Sequence, residues 1–503
     1  MRGFEVLLTL AVTAAFARAV VPRSRGPRWT GYAAPLAASA ALVQILAEGA
    51  RWQLIPAYAL AAACLLGFLV RLRVRPGAAA PGRTGARAAR AVRATLAVAG
   101  AAALLLAVTL PVALPVFRFD PPTGPYGIGT VTYHWAQPRP ELVTADPDDR
   151  RELIAQVWYP AVADPAAPRA PYVESTDPVT RAARLLGLPG FLLSHFAHVT
   201  TNAVASAPAA PGGQAYPVLV YLTGRAGFRS ANTFQIEELV SHGYVVVGLD
   251  QPGVSASVSL PGGRRVPLPN ERVAALIDHD VAPGAGPGPP PSLPGGPVPG
   301  GIIRYLAQDV AFTLDRLAEI NAADPRGVLT GRLDLARVGV FGVSLGGTTA
   351  AEACAREPRI GACLIMDSAI AAGTLAAGWR QPTMFLTRDA ATMRLERERS
   401  GGWSEQEIAQ TLGGMWAAYQ RLPAGHGYHV EIPGMFHIQF TDLPYWFPPA
   451  RAVGLTGPLP GRRGLKIVNA YTLAFFDAEL RGRPAPLLDG GDARHPEARL
   501  RRR

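Results

Sequence analysis

Val338-Gly339-Val340-Phe341-Gly342-Val343-Ser344-Leu345-Gly346-Gly347 is a short apolar run that ends in a serine between two glycines, and a run of Thr, Ala, Glu and Cys typical of a helix follows it. A Gly-x-Ser-x-Gly sequence between a strand and a helix is typical of a nucleophile elbow, a sharp turn that lifts the serine hydroxyl out of the backbone. Gly342 and Gly346 lack the side-chain bulk that such a turn excludes. The pattern therefore predicts that Ser344 is the nucleophile of an acyl-transfer reaction.

The chain before the elbow predicts a mostly parallel sheet. Residues 217–222 and 244–250 are near-continuous apolar runs, as strands buried on both faces have, and residues 231–242 between them have helical spacing. Residues 127–135 and 152–159 alternate apolar and polar positions, as antiparallel strands do. This order predicts an α/β fold with helices on both faces of the sheet.

Three further segments lead up to the elbow strand. Residues 257–267 predict a hairpin around Pro261-Gly262-Gly263. Residues 283–300 are almost entirely proline and glycine, so we expect a mobile loop that borders the active site. Residues 302–320 have the apolar spacing of an amphipathic helix.

The chain after the elbow supplies acids and a base in a definite order. A strand at 361–366 ends in Asp367, a strand at 382–386 is followed by Asp389, and a strand at 428–432 leads to His437. The order Ser, Asp, His is that of an α/β-hydrolase. Either aspartate could orient the imidazole, and spacing alone does not choose between them.

Two histidines compete with His437 for the role of general base. His426 precedes the last of these strands and His429 lies inside it, so neither is expected at the carboxyl end of the sheet. His437 follows the strand and precedes a helix at 465–480, where the base of this fold belongs. For the oxyanion, we expect the backbone N–H groups of Leu345 and Arg225, the latter from the glycine-containing loop 222–227. This chemistry needs no metal or other cofactor.

Composition indicates membrane segments. The 503 residues are 49% hydrophobic and 17% charged, which is unusual for a soluble enzyme. The formal charge of +12 comes from scattered arginines with one lysine, Lys466, and lacks the aromatic interleaving of nucleic-acid grooves, so a nucleic-acid partner is not expected. Cys354 and Cys363 are interpreted as small buried apolar residues, without a disulfide or Cys/His metal pattern.

Four apolar stretches near the N-terminus are each close to the roughly 20 residues that cross a bilayer: about 4–21, 32–49, 53–70 and 94–116. The arginines concentrate in the first and third connections, and the second connection has only Glu48 and Arg51. The positive-inside rule then places both basic loops in the cytoplasm and everything after Phe117 outside it. No charge pair within the spans suggests transport. We therefore expect a four-helix transmembrane region at 1–117, a catalytic domain at 118–485 and a basic disordered tail at 486–503.

Several motifs occur in order along residues 117–482. They are Phe117-Arg118-Phe119-Asp120-Pro121-Pro122-Thr123-Gly124-Pro125-Tyr126-Gly127-Ile128-Gly129, Val157-Trp158-Tyr159-Pro160, Glu238-Leu239-Val240-Ser241-His242-Gly243-Tyr244-Val245-Val246, Phe436-His437-Ile438-Gln439-Phe440-Thr441-Asp442-Leu443-Pro444 and Ala474-Phe475-Phe476-Asp477. Through these motifs the chain resembles the platelet-activating-factor acetylhydrolase-like α/β-hydrolases, the lipoprotein-associated phospholipase type and its bacterial relatives. The resemblance implies that the acid closely follows the strand after the elbow, which favours Asp367 over Asp389. Two positions depart from the family: Thr223-Gly224 stands where it has His-Gly, and Ser368 replaces a glycine after the acid.

These patterns predict a membrane-anchored serine ester hydrolase whose triad is Ser344, Asp367 and His437. The resemblance implies substrates with short or oxidised acyl chains, phospholipids among them, and a role in lipid degradation beside the bilayer. Two alternatives stay open: a polyester hydrolase or general carboxylesterase, whose acid more often follows the later strand, and a non-catalytic membrane sensor or scaffold with a hydrolase fold.

Overall fold

The computed structural model describes residues 1–20, 32–73, 83–213, 215–282, 292–490 and 493–503. The described chain divides into two compact units. The first comprises Met1–Phe117 and Trp446–Pro448, and the second comprises Arg118–Tyr445 and Pro449–Arg503. Arg23, Arg25, Arg28, Arg75 and the proline- and glycine-rich residues 283–291 lie outside the described residues.

Four helices form most of the first unit: α1 (Gly3–Val20), α2 (Ala33–Glu48), α3 (Ile55–Arg73) and α4 (Arg83–Ala113). Within the described part of the chain, three segments are long and apolar enough to cross a membrane, Gly3–Val20, Trp52–Arg73 and Arg87–Ala113. Helix α2 has 16 residues and is a shorter apolar helix. At about 1.5 Å per residue it is about 24 Å long, less than the roughly 30 Å of a hydrocarbon core. The four predicted helices are therefore present, but only three of them have the length of a span.

A buried ion pair joins α1 to the segment before α3. Arg51 Nη2 lies 2.6 Å from Glu5 Oε2, and both side chains are almost completely buried. Arg2 also pairs with Glu5 at 2.8 Å, and the Tyr58 hydroxyl donates to Gln44 Oε1 at 2.5 Å. The sequence did not predict this pair because its two residues are far apart in the chain and neither lies in the middle of an apolar run.

The second unit alternates strands and helices. Its strands are β1 (Gly127–Pro140), β2 (Arg150–Ala161), β3 (Arg169–Pro171), β4 (Thr200–Ala205), β5 (Tyr216–Leu222), β6 (Val245–Asp250), β7 (Ser257–Ser259), β8 (Arg265–Pro267), β9 (Ser292–Leu293), β10 (Gly296–Pro297), β11 (Leu333–Val343), β12 (Ile360–Met366), β13 (Thr383–Thr387), β14 (Gly427–Glu431) and β15 (Arg499–Arg502). Its helices are α5 (Asp177–Leu185), α6 (Thr233–Ser241), α7 (Asn270–Val281), α8 (Ile302–Ala322), α9 (Leu345–Arg356), α10 (Ala372–Ala377), α11 (Ala390–Ser400), α12 (Glu405–Arg421), α13 (Leu443–Trp446) and α14 (Gly461–Arg481).

Eleven strands form the main sheet, in the order β15-β14-β13-β12-β11-β5-β6-β2-β1-β4-β3. The strands from β14 to β6 in this order are mutually parallel, and β2 and β15 flank them in antiparallel pairings. The elbow strand β11 lies near the middle, with Val340 paired to Val220 of β5 and to Cys363 of β12. The carboxyl ends of β11, β12 and β13 therefore meet at one edge, where Ser344, Asp367 and Arg388 follow them.

Helices cover both faces of this sheet. On one face Val340 belongs to the same apolar cluster as Leu314 of α8 and Ala350 of α9. On the other face, the ring centroid of Phe341 lies 6.2 Å from that of Phe476 on α14. Alternate residues of one strand thus face different helices, which is why the strand is apolar throughout rather than alternating.

Most of the predicted elements are confirmed within a residue or a few residues, including the hairpin β7–β8 and helices α6, α8 and α14. Three expectations differ from the structure. Cys354 and Cys363 form a disulfide between the end of α9 and β12. Ser292–Pro297 of the predicted loop forms a two-stranded hairpin, β9–β10.

The predicted disordered tail is the third difference. Residues 499–502 form β15, which pairs antiparallel with β14. The arginines of β15 stack on aromatic rings: Arg501 lies 5.2 Å from the ring centroid of Trp416, and Arg502 lies 5.6 Å from that of Tyr428. An exposed strand edge and two rings therefore order a segment whose composition alone favours disorder.

Candidate active site

Ser344 lies at the sharp turn between β11 and α9. Its backbone has φ 58° and ψ −128°, a conformation that residues with a side chain rarely adopt. The neighbouring glycines make this turn possible: a Cβ on Gly346 would lie 2.0 Å from the carbonyl oxygen of Leu222, and one on Gly342 would lie 2.4 Å from the backbone of Gly346. The local geometry is that of a nucleophile elbow.

Asp367 follows the neighbouring strand at the same edge. The Ser344 N–H donates to the carbonyl of Met366 at 3.0 Å, so the serine and the residue after Met366 are held beside each other. Asp367 is buried and also has a positive φ, 44°. Strained backbone at both positions is typical of functional sites, where the surrounding structure enforces it.

His437 contacts Asp367 directly. Its Nδ1 lies 2.6 Å from Asp367 Oδ2, and its side chain is about a quarter exposed, at 24%. Because an ionised carboxylate only accepts hydrogen bonds, Nδ1 carries a proton in this pair, and in the neutral imidazole Nε2 is then the acceptor. Burial by itself raises the pKa of Asp367, but the charge of Arg388 and the hydrogen bond from His437 outweigh it and lower the pKa to about 2. The carboxylate is therefore ionised throughout the neutral range.

Asp389, the alternative acid, has a different role in the structure. Its carboxylate caps α11 by accepting the Thr392 N–H at 2.9 Å. The Thr392 hydroxyl also donates to Asp389 Oδ1 at 2.5 Å, and Arg499 Nη1 lies 3.8 Å from Asp389 Oδ2. The carboxylate that contacts His437 is thus that of Asp367, the position to which the family resemblance pointed.

The competing histidines lie away from this contact. His426 has Nδ1 3.0 Å from the carbonyl of Arg380. His429 is buried in β14, where its ring packs 5.4 Å from that of Trp416 and 5.8 Å from that of Tyr419. Burial lowers the pKa of His429 to about 4, with a further contribution from the charge of Arg501. A neutral histidine among aromatic rings is a packing residue.

The two expected oxyanion donors flank the serine. The N–H of Leu345 belongs to the first residue of α9, so it has no acceptor within the helix. On the other side, a Cβ on Gly224 would lie 3.1 Å from Ser344 Cβ, so the loop after β5 lies against Ser344. In that loop the Ala226 N–H donates to the Val254 carbonyl at 2.8 Å. The Arg225 N–H makes no hydrogen bond to any residue that the structure describes.

A buried arginine beside Asp367 was not predicted from the sequence. Arg388 follows β13 and its Nε lies 2.9 Å from Asp367 Oδ2. Its Nη1 pairs with Glu396, whose carboxylate also accepts the backbone N–H of His437 at 3.3 Å. No motif marks these residues; the only signal was the position of Arg388 directly after a buried strand at the carboxyl edge of the sheet. Among the residues that the structure describes, no cluster of His, Cys, Asp or Glu is arranged to hold a metal ion.

Comparisons with known proteins agree on one class of enzyme. No protein-family model matches the chain. Over 175 residues the chain is 28% identical to a protein of Arthroderma benhamiae named as a probable 1-alkyl-2-acetylglycerophosphocholine esterase, a match that covers 32% of this chain and 42% of that protein. The matched region thus spans less than half of the relative. This similarity supports the resemblance to the platelet-activating-factor acetylhydrolase-like enzymes.

A solved structure is similar over a larger part of the chain. The ferulic acid esterase of Streptomyces cinnamoneus superposes with a TM-score of 0.56 at 28% identity, covering 76% of this chain and 99% of that one. Both similar proteins are named as esterases, and the mixed sheet with its helices is the fold of an esterase α/β-hydrolase. The fold and the comparisons together support assignment to the carboxylic ester hydrolases.

Proposed function

We propose that this protein is a serine hydrolase of carboxylic esters in which Ser344, His437 and Asp367 form the catalytic triad. The observation that carries the proposal is the 2.6 Å contact between His437 Nδ1 and Asp367 Oδ2, next to a serine on a strained elbow. An imidazole whose Nδ1–H is fixed by a carboxylate offers Nε2 to the serine hydroxyl. No cofactor is required for this reaction.

The proposed reaction has two steps. His437 Nε2 takes the hydroxyl proton while Ser344 Oγ attacks the acyl carbonyl, and the N–H groups of Leu345 and Arg225 stabilise the oxyanion. His437 then gives the proton to the leaving alcohol, which leaves an acyl-enzyme. His437 then takes a proton from a water molecule, which attacks the acyl-enzyme; the carboxylic acid product leaves and Ser344 regains its proton. Asp367 stays ionised and stabilises the imidazolium of both steps.

Short-acyl and lipid esters are the proposed substrates. The Arthroderma benhamiae relative is named as an esterase of an acetylated glycerophosphocholine. The sequence resemblance also implies substrates with short acyl chains, phospholipids among them. The apolar helices of the first unit favour an enzyme that works at a bilayer, where such esters are found.

We further propose that the catalytic unit lies outside the cytoplasm. Two independent features support this orientation. The arginine-rich connections of the first unit favour a cytoplasmic position for those loops. The Cys354–Cys363 disulfide in the second unit suits an oxidising compartment, since such bonds are rare in the cytosol.

The nucleophile is tested with the full-length protein in detergent micelles. The wild type is expected to hydrolyse p-nitrophenyl acetate and to react with a fluorophosphonate probe. Ser344→Ala should remove both signals, because no other hydroxyl lies on the elbow. Ser194→Ala is the matched control, since that hydroxyl donates within its own turn, to the Phe191 carbonyl at 2.7 Å. If Ser344→Ala keeps most of the rate, the assignment of the nucleophile is wrong.

Esters of aromatic acids such as ferulic acid are a second candidate substrate class. The observation that favours them is the similarity to a ferulic acid esterase over 76% of the chain. A panel of acetyl phospholipid, methyl ferulate, triglyceride and polyester separates these possibilities from a general carboxylesterase. A protein that neither reacts with the probe nor hydrolyses any of these would instead be a scaffold with a hydrolase fold.

A further inference from the structure

The residue directly after β13 is a cation, Arg388. In the general carboxylesterases considered above, an acid more often follows this strand, but here Arg388 comes first and Asp389 turns away to cap α11. The Arg388 side chain is completely buried. A buried charge is costly unless it is paired, so its partners define its role.

The partners of Arg388 are the acid and a residue that holds the base. Its Nε pairs with Asp367 Oδ2 at 2.9 Å, the same oxygen that His437 Nδ1 contacts. Its Nη1 pairs with Glu396 of α11. Glu396 Oε2 in turn accepts the backbone N–H of His437 at 3.3 Å.

Further contacts fix this arrangement. The Thr392 hydroxyl of α11 accepts the Gly434 N–H at 2.8 Å, in the loop that leads to His437. Trp403 covers Arg388, with its ring centroid 4.5 Å from the guanidinium carbon and 5.1 Å from the His437 ring centroid. Three consecutive residues with positive φ, Gly401, Gly402 and Trp403, place the indole there. The side chains of Arg388 and Asp367 are both completely buried.

We propose that Arg388 and Glu396 are positioning residues of the triad, which bridge the acid at the end of β12 to the loop that carries His437. This inference rests on the proposed function. Arg388 fixes the Asp367 carboxylate at the oxygen that faces the imidazole, and Glu396 anchors the backbone of His437. Neither side chain is assigned a contact with substrate.

The two residues also set the charge around the imidazole. The charged groups on the elements packed against it are Asp367 after β12, Arg388 after β13 and Glu396 on α11. With a neutral imidazole these three sum to −1, and with an imidazolium the site is neutral. Removing the Arg388 charge makes the site more negative and favours protonation of the base. Removing the Glu396 charge has the opposite effect.

The test compares pH profiles of kcat/KM for p-nitrophenyl acetate in the full-length protein. Arg388→Met is expected to lower kcat at least about 10-fold with little change in KM, and to move the acidic limb of the profile up by about one pH unit. Glu396→Gln should move that limb down, and Arg388→Lys should recover part of kcat. Opposite displacements of the limb are a result that a purely structural role would not produce. Arg394→Met and Glu398→Gln are matched controls on the exposed side of α11, and both profiles should equal that of the wild type.

The outcomes separate this inference from the proposed function. If the wild type is active but the acidic limb moves in the same direction in Arg388→Met and Glu396→Gln, or moves in neither, the positioning role is wrong and the proposed triad is unaffected. If Arg388→Met does not fold, Glu396→Gln decides the question, because glutamine retains the acceptor for the His437 N–H. A wild type that is inactive and not labelled by the fluorophosphonate overturns both.

Discussion

Replacing Asp367 by asparagine should abolish most of the activity, whereas the same change at Asp389 should have little effect. An asparagine amide can donate to His437 Nδ1, which leaves the proton on Nε2 and removes the base that Ser344 needs. Losing a carboxylate in this role is expected to lower kcat by about 10³–10⁴, equivalent to ~4–5.5 kcal/mol of barrier. KM should change little, since the carboxylate is buried behind the imidazole.

The same substitution should also lower stability. Among the described residues, Arg388 would keep Glu396 as its ion-pair partner but lose the Asp367 charge, so we expect the free energy of unfolding to fall by ~1–3 kcal/mol. Asp389→Asn is the matched control, because asparagine caps a helix as well as aspartate does. Its pairing with Arg499, at 3.8 Å on the surface, is worth less than about 0.5 kcal/mol.

The assay is steady-state hydrolysis of p-nitrophenyl acetate by full-length wild type and both variants, with circular dichroism to monitor folding. A folded Asp367→Asn protein within tenfold of wild-type kcat would refute the assignment of the acid. A large loss in Asp389→Asn with Asp367→Asn nearly unchanged would move the role to Asp389. That second result would also contradict the 2.6 Å contact on which the reasoning depends.

Three further changes test other parts of the site and fold. Arg225→Ala should keep wild-type kcat to within about threefold, because only the backbone N–H of this residue is assigned to the oxyanion. Arg225→Pro should lose most of kcat, because proline has no backbone N–H. Steady-state kinetics of the two variants check this. Gly346→Ala would place a Cβ 2.0 Å from the Leu222 carbonyl oxygen, so thermal unfolding should show a loss of ~1–3 kcal/mol together with lower activity. Burial lowers the pKa of His429 from 6.5 to about 4. Neutral His429 therefore contributes its full stability above pH 6.5, and this contribution is lost as the pH falls to about 4, because the unfolded chain takes up the proton first. Urea unfolding of His429→Phe should therefore show a loss of unfolding free energy between pH 6.5 and 4 that is ~1–3 kcal/mol smaller than in the wild type. An unchanged pH dependence would show that His429 is not responsible.

Local sequence patterns accounted for most of the fold. The apolar runs of β5, β6 and β11 and the spacing of α8 depend only on which residues each element buries, so they can be recognised along the chain. The Gly-x-Ser-x-Gly turn could also be recognised in the sequence. Its glycines are required by contacts within a few residues of Ser344 and with the adjoining strand β5. Short elements such as β3, β4 and β15 were not predicted, since their pairing depends on strands distant in sequence.

The sequence by itself determined the class of fold, the order Ser, Asp, His and the apolar character of the first unit. Only the tertiary structure decided which aspartate faces His437, because Asp367 and Asp389 each follow a strand at the same edge of the sheet and differ in the partners of their side chains. It alone also brought Arg388 and Glu396 to Asp367 and His437, joined Cys354 to Cys363 and paired Glu5 with Arg51. Each of these contacts is made between different elements, and a sequence pattern reports the burial of one element rather than the neighbours that it meets.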